Sequence, residues 1–258
     1  MLSWQEDNGR FWKKAGLQGG AYSNQRLYSQ AQATIAICEL YGMTRDPEFR
    51  RPAQRAINYC VSIQDDDGRF PDGGWRYDEN YDSDMSVTGW FVMALQSARM
   101  AGLDVPSDTL RRVEDFLDAI TDDGSHYSYV ARQFAKPSMT AEALLCRQYL
   151  GWSRDDPRLA KGVEYIKQNP IDWLEPNTYY WYYATQVMHH MEGDEWFEWN
   201  QVMKKQITRM QVKGGREAGS WPIDGDTWAR GGGRLYQTCM CAFMLEVYYR
   251  HLPIYAEL

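Results

Sequence analysis

SQAQATIAICELY at Ser29–Tyr41, MSVTGWFVMALQSARM at Met85–Met100, SMTAEALLCRQYL at Ser138–Leu150 and LYQTCMCAFMLEVYY at Leu235–Tyr249 decide the fold. Each is apolar around most of a helical circumference, the pattern of a helix buried on more than one side. Thr34, Thr88, Thr140 and Thr238 mark one early position in each, at intervals of 54, 52 and 98 residues. The long interval leaves room for one further copy, YYWYYATQVMHHM at residues 179–191. Five copies at about 50 residues each account for the chain.

One-sided helices are expected between these copies. Phe49, Ala53, Ala56, Ile57 and Cys60 form a stripe within Asp46–Ile63, and Leu110, Val113, Leu117 and Ile120 form one within Ser107–Ile120. Leu159, Val163 and Ile166 do so within Asp156–Gln168, and Trp199, Val202, Met203, Ile207 and Met210 within Trp196–Met210. All follow the three-to-four-residue period of an amphipathic helix. The connectors repeat as well: LYGMTRDPEF at Leu40–Phe49 matches YLGWSRDDPRL at Tyr149–Leu159 with one insertion. There Gly42 or Gly151 is expected to end one helix in a left-handed conformation. Asp46 or Asp156 is expected to cap the next, with Pro47 or Pro157 in its first turn. The fold class expected is therefore all-α: one domain over residues 1–258, built of helix–turn–helix repeats with an inner and an outer layer.

The loops after the outer helices are unusual. Gln64–Asp84, Thr121–Ser138 and Gln211–Arg234 each mix glycine with an aromatic and an acid, and Gln5–Ser23 looks like the loop of a preceding repeat. Trp75 and Trp221 suit packing between repeats, with the indole N–H on a backbone acceptor.

Gln64–Gly73–Gly74–Trp75 and Gln211–Gly219–Ser220–Trp221 resemble the repeat motif of squalene/hopene cyclases, whose superfamily includes protein prenyltransferase β subunits. The resemblance implies an (α/α) toroid, incomplete at nine or ten of twelve helices, with an open edge. A homo-oligomer or another protein partner, the loop Met1–Ser23, or further sequence would then cover that edge. It also implies a central pocket for an apolar or isoprenoid ligand. Hopene-type cyclases carry an acidic run before an inner helix, and the matching residues here are Asp82 and Asp84. The resemblance makes Asp84 the proton donor and Asp82 its acidic neighbour, although Met85 replaces the last acid of the run. A helix N-cap is the structural alternative for Asp84. Trp90, Phe91, Tyr179, Trp181, Tyr182, Tyr236 and Trp221 are the candidate ligand-binding aromatics, with core filling as the alternative role.

Three functions follow as expectations. The foremost is a non-catalytic or divergent binding module for an apolar ligand or a protein partner. The second is a terpene cyclase-like enzyme using Asp84. The third is a carbohydrate-active toroid with Asp224, Asp226, Trp221 and Trp228 at a cleft. No cofactor and no metal are expected. Cys38, Cys60, Cys146, Cys239 and Cys241 lack metal-type spacing, and the prenyltransferase zinc set has no counterpart. His126 is the best isolated imidazole. A formal charge of −7 argues against a nucleic-acid partner. No run approaches the roughly 18 apolar residues of a membrane span. The opening MLSWQEDNGRFWKKAG has no apolar signal segment, and its abrupt start suits a piece of a longer protein.

Overall fold

A computed structural model describes residues 2–12, 26–69, 71–79 and 82–250. Among them the chain is all-α: nine α-helices, a short 3-10 turn at Leu2–Trp4, no strand, and one isolated antiparallel bridge between Thr121 and Tyr127. The chain divides into two compact units, Met1–Asp122 with Tyr127–Phe134, and Asp123–His126 with Ala135–Leu258.

In the first unit α1 (Arg26–Thr44) packs on α2 (Pro47–Ser62) and α3 (Met85–Met100), and α3 packs on α2 and α4 (Ser107–Ala119). α3 and α4 show the enclosed and one-sided types expected from the sequence, whereas α1, expected to be enclosed, leaves Ser29, Gln32 and Ala36 exposed. From Val87 to Leu95 every residue of α3 is buried, whereas α4 buries only Thr109, Val113, Phe116 and Leu117.

In the second unit α7 (Thr178–Met191) packs on α5 (Pro137–Tyr149), α6 (Pro157–Lys167), α8 (Gly193–Met210) and α9 (Thr227–Arg250). With neighbours on every flank, all of α7 is buried except Tyr179. The one-sided α8 buries only Trp199, Met203 and Ile207, and α9, expected to be enclosed, is exposed at Leu235, Glu246, Tyr248 and Tyr249.

The expected caps form. Asp46 Oδ1 accepts the Glu48 N–H at 2.9 Å and Asp156 Oδ1 accepts the Arg158 N–H at 2.9 Å, each with proline at the helix start. The glycines of the paired connectors differ, however. Gly151 ends α5 with φ 105°, as expected, but α1 continues through Gly42 to Thr44, and Arg45 takes the left-handed turn at φ 55°. Gly42 serves a close approach instead, since a Cβ there would lie 3.4 Å from Ala101 Cβ. The Arg45 guanidinium then donates to the Ala101 carbonyl at 2.5 Å.

The loop expected to run to Arg234 is also shorter. α9 begins at Thr227, with Asp226 accepting the Trp228 and Ala229 N–H groups, and breaks at Gly233 (φ 73°). Asp84 and Lys136 are N-caps four residues before Thr88 and Thr140, so Arg234, four before Thr238, holds the same register. The break at Gly233 lets an added turn precede the repeat without shifting it.

Both tryptophan loops close in the same way. Gln64 Nε2 donates to Gly73 O at 2.6 Å, and the Trp75 indole N–H donates to Cys60 O at 2.9 Å. Gln211 Nε2 donates to Gly219 O at 3.0 Å, and the Trp221 indole to Ile207 O at 2.7 Å. In each loop a backbone pair joins the residue after the glutamine to the residue before the tryptophan: Asp65 N–H to Gly74 O, and Val212 N–H to Ser220 O. Tryptophan here ties a loop to the preceding outer helix, satisfying a carbonyl near that helix's end. The loop Gln5–Ser23 is described only to Trp12, and its remainder lies outside the described residues.

Candidate functional site

Two polar clusters form at the starts of inner helices, one in each unit. In the first, Asp84 caps α3 and is 0% exposed. Its Oδ1 accepts the Val87 N–H at 2.9 Å and the Ser86 hydroxyl at 2.8 Å, and Oδ2 accepts the Tyr129 hydroxyl at 3.0 Å. Arg76 Nε lies 3.5 Å from the same Oδ2, and its guanidinium also pairs with Asp82. The network extends outward: the Tyr77 and Tyr129 hydroxyls share a hydrogen bond at 2.7 Å, as do Tyr28 and Ser86.

Burial raises the Asp84 pKa, and the Val87, Ser86, Tyr129 and Arg76 donors oppose that rise. For Tyr129, burial and then the Asp84 charge push the phenol well above its usual range. Arg76 is half-buried. Desolvation alone would lower its pKa, but Asp82, Tyr129 and Asp84 together hold it above the ordinary guanidinium value. Asp82 sits at φ 57°, a costly conformation for a non-glycine residue. Its Oδ1 accepts the Ser83 N–H at 2.8 Å. Sequence reasoning placed Asp82 and Asp84 together and named the cap, but missed Arg76 and Tyr129, which arrive from loops.

The second cluster draws on α5, α7 and α9. Glu142, the one acid of α5, is 0% exposed, and the Tyr179 hydroxyl donates to it at 2.9–3.0 Å. Asp226 is equally buried, and its Oδ2 accepts the Thr178 N–H at 2.8 Å and the Thr178 hydroxyl at 2.9 Å. That hydroxyl also lies 2.9 Å from Gln237 Oε1. Tyr236 lies in the field of both acids: burial first, then the charges of Asp226 and Glu142, raises its phenol beyond the normal range. The Tyr236 ring rests on α9's own glycines, since a Cβ at Gly232 would come within 2.6 Å of Tyr236 Cβ. Burial dominates Tyr183 likewise, with Glu142 adding to the rise.

The candidate aromatics divide. Trp75 stacks on Phe91 at 4.8 Å and 8°, so Phe91 belongs to the first unit's core. Trp221 is spent on its loop, Trp181 packs edge-on against Trp173 at 5.0 Å, and Trp90 is buried. Tyr179, Tyr182 and Tyr236 belong to the second unit, where Tyr182 lies 6.0 Å from the Phe243 ring. The exposed Trp228 lies 6.4 Å from the Tyr179 ring. Glu142 and Gln237 were not foreseen, although a lone acid inside an apolar helix was a visible signal.

His126 serves its loop. Its Nδ1 is 2.7 Å from Asp123 Oδ2, which also accepts Lys161 Nζ at 2.7 Å. Burial would raise the Asp123 pKa, but Lys161, His126 and two backbone N–H groups outweigh it and hold the carboxyl well below its usual range. Asp224 is exposed whereas Asp226 is enclosed among helix starts, so the two differ sharply in environment. The described cysteines are free. Burial raises the Cys60 thiol to about 12, so it is protonated at neutral pH. No group of three metal-type side chains converges among the described residues, and no described helix is long and apolar enough to cross a membrane. Comparison with protein-family models, curated proteins and solved structures finds no match.

Proposed function

We propose that the chain is a helical-hairpin-repeat domain of the (α/α) toroid type, akin to the squalene/hopene cyclases, that binds its ligand without protonating it. The repeated closure of the Gln64–Trp75 and Gln211–Trp221 loops supports the kinship. So does the contrast of the enclosed α3 and α7 with the one-sided α4 and α8.

The environment of Asp84 carries the binding reading. A proton donor to an alkene must reach its substrate as a carboxylic acid without a strong positive partner. Asp84 is 0% exposed, both oxygens accept hydrogen bonds, and Arg76 stands beside it. Each of these favours a cap over an acid catalyst. Burial, which raises its pKa, is the one observation on the side of the cyclase alternative. The gathering of Tyr179, Tyr182, Tyr236 and Phe243 supports an apolar ligand in the second unit, with Tyr182 itself enclosed against Tyr183 at 5.0 Å. Leu235 at 77% and Tyr249 at 92% exposure support the alternative occupant, a protein partner or second copy on α9.

The test is turnover of squalene and of prenyl diphosphates by wild type and Asp84→Asn, with native mass spectrometry of the purified chain. Expected are no product from either protein and a retained apolar ligand. Product from wild type that Asp84→Asn abolishes at unchanged stability establishes the cyclase instead. Light scattering decides between a monomer and a copy seated on α9.

A further inference from the structure

α9 carries unmet polar groups that nothing in the apolar reading explains. Gln237 is 0% exposed, yet its Nε2 has no hydrogen-bond partner among the described residues. Thr178 has one hydroxyl proton and two acceptors at 2.9 Å, Asp226 Oδ2 and Gln237 Oε1, so Gln237 meets Thr178 through one end only and its Nε2 stays open. One residue earlier, the buried Tyr236 hydroxyl is also unmet. Leaving such groups unmet costs roughly 1–3 kcal/mol each. The same kink at Gly233 that sets the register of α9 positions both residues, and a Cβ at Gly231 would touch nothing within 4 Å.

The surrounding groups narrow the ligand chemistry. Glu142 and Asp226 repel an anion. A quaternary ammonium offers a phenol and an amide nothing to bond. A bare hydrocarbon would bury the amide and phenol without partners. A hydroxyl both donates and accepts, and so suits a phenol, an amide and a carboxylate together.

We infer that Glu142, Tyr236 and Gln237 form a recognition site for the hydroxyl of a neutral alcohol, with Tyr179 orienting Glu142. The inference rests on the proposed binding function and names the chemistry of its ligand. Two sources supply such a hydroxyl. A sugar would also lay its C–H face on the exposed Trp228, beside Tyr179. A long-chain alcohol would run along Tyr182 and Phe243.

The test uses the full chain and two sets of probes: glucose, galactose and myo-inositol, and farnesol with farnesene as the hydrocarbon control. Binding is read by thermal shift and calorimetry. Wild type is expected to bind one set, and farnesol over farnesene if it is the second. Tyr236→Phe and Gln237→Leu should each weaken binding roughly 3- to 10-fold, the worth of one neutral hydrogen bond. Tyr236→Phe should not lower the melting temperature of the free protein, because it removes only a group the fold leaves unmet, whereas Gln237→Leu also gives up the contact with Thr178 and should lower it modestly. Trp228→Ala should abolish binding of the sugar set alone. Farnesene binding as tightly as farnesol overturns the hydroxyl site while sparing the apolar binding function. No binding from either set, or variants that bind like wild type, overturns the site as well. Squalene turnover with no retained ligand removes the binding function beneath it.

Discussion

The two polar clusters solve one problem in opposite ways. Both place a buried acid at the start of an inner helix, where the N-terminal N–H groups favour negative charge. In the first unit, loops bring Arg76 and Tyr129 to Asp84, the first turn of α3 adds Ser86 and Val87, and both of its oxygens are bonded. In the second, Asp226 is equally well bonded, but the helix it starts carries Tyr236 and Gln237 with unmet ends. A loop can rearrange around an acid, whereas a helix presents its side chains in fixed register. The first cluster is therefore closed by groups of its own unit, and the second leaves two ends unmet.

The two tryptophan loops give the largest expected contrast with the polar clusters. Trp75→Ala removes a ring stacked on Phe91 together with the bond to Cys60 O, and should cost about 3–5 kcal/mol in urea unfolding. Trp221→Ala should fall at the lower end of that range, because Trp221 has no comparable face-to-face partner among the described contacts. Equal losses would mean that stacking adds nothing to the loop closure.

The glycines of these loops come next. Gly73 (φ 94°) and Gly219 (φ 87°) occupy matched places, but a Cβ at Gly73 would lie 2.3 Å from Arg112 O, while one at Gly219 meets nothing within 4 Å. Gly219→Ala should cost about 1–2 kcal/mol from conformation alone. Gly73→Ala should exceed it clearly, since backbone must move. Similar melting temperatures for the two variants would refute the packing difference.

Asp84 separates capping from burial on a smaller scale. Asp84→Asn should change stability by at most about 1 kcal/mol, because asparagine caps nearly as well. Asp84→Ala should cost about 2 kcal/mol, as it also strands Tyr129 and Ser86. A loss for Asn equal to that for Ala would show that the pair with Arg76, not the cap, holds the helix start.

The smallest effect is in pH. Burial lowers the pKa of His189, with Glu192 opposing slightly. The unfolded chain therefore binds this proton more readily than the folded one. The stability involved is fully present above the unfolded value near 6.5 and is lost as pH falls through the lower folded value. Melting temperature should fall from pH 7.5 to 5.5, and His189→Gln should flatten that slope.

Much of the fold was legible because it rests on local periodicity. The apolar circumference of Met85–Met100 and the one-sided stripe of Ser107–Ile120 named an enclosed and a one-sided helix, and burial bears out both. Asp46–Pro47 and Asp156–Pro157 named two helix starts for the same local reason. The glycines were less legible. Gly42 lies inside α1 because Ala101, far along the chain, needs the space, and the GGG run enters α9 because Asp226 can cap an added turn. In the candidate sites, Asp84 was readable as a cap. Arg76 beside it was not, because it approaches through a loop whose path depends on Trp75.

Composition and spacing alone determined that the chain is helical, that Met85–Met100 is enclosed and Ser107–Ile120 one-sided, and that Trp75 and Trp221 put their indole N–H on a backbone acceptor. These properties follow from side-chain periodicity and from hydrogen bonds made within one repeat. Only the tertiary structure decided which polar groups meet. The meeting of Tyr179 with Glu142 and the unmet amide of Gln237 depend on how helices distant in sequence approach one another. Burial and hydrogen bonding are set by that approach, and no spacing along the chain encodes it.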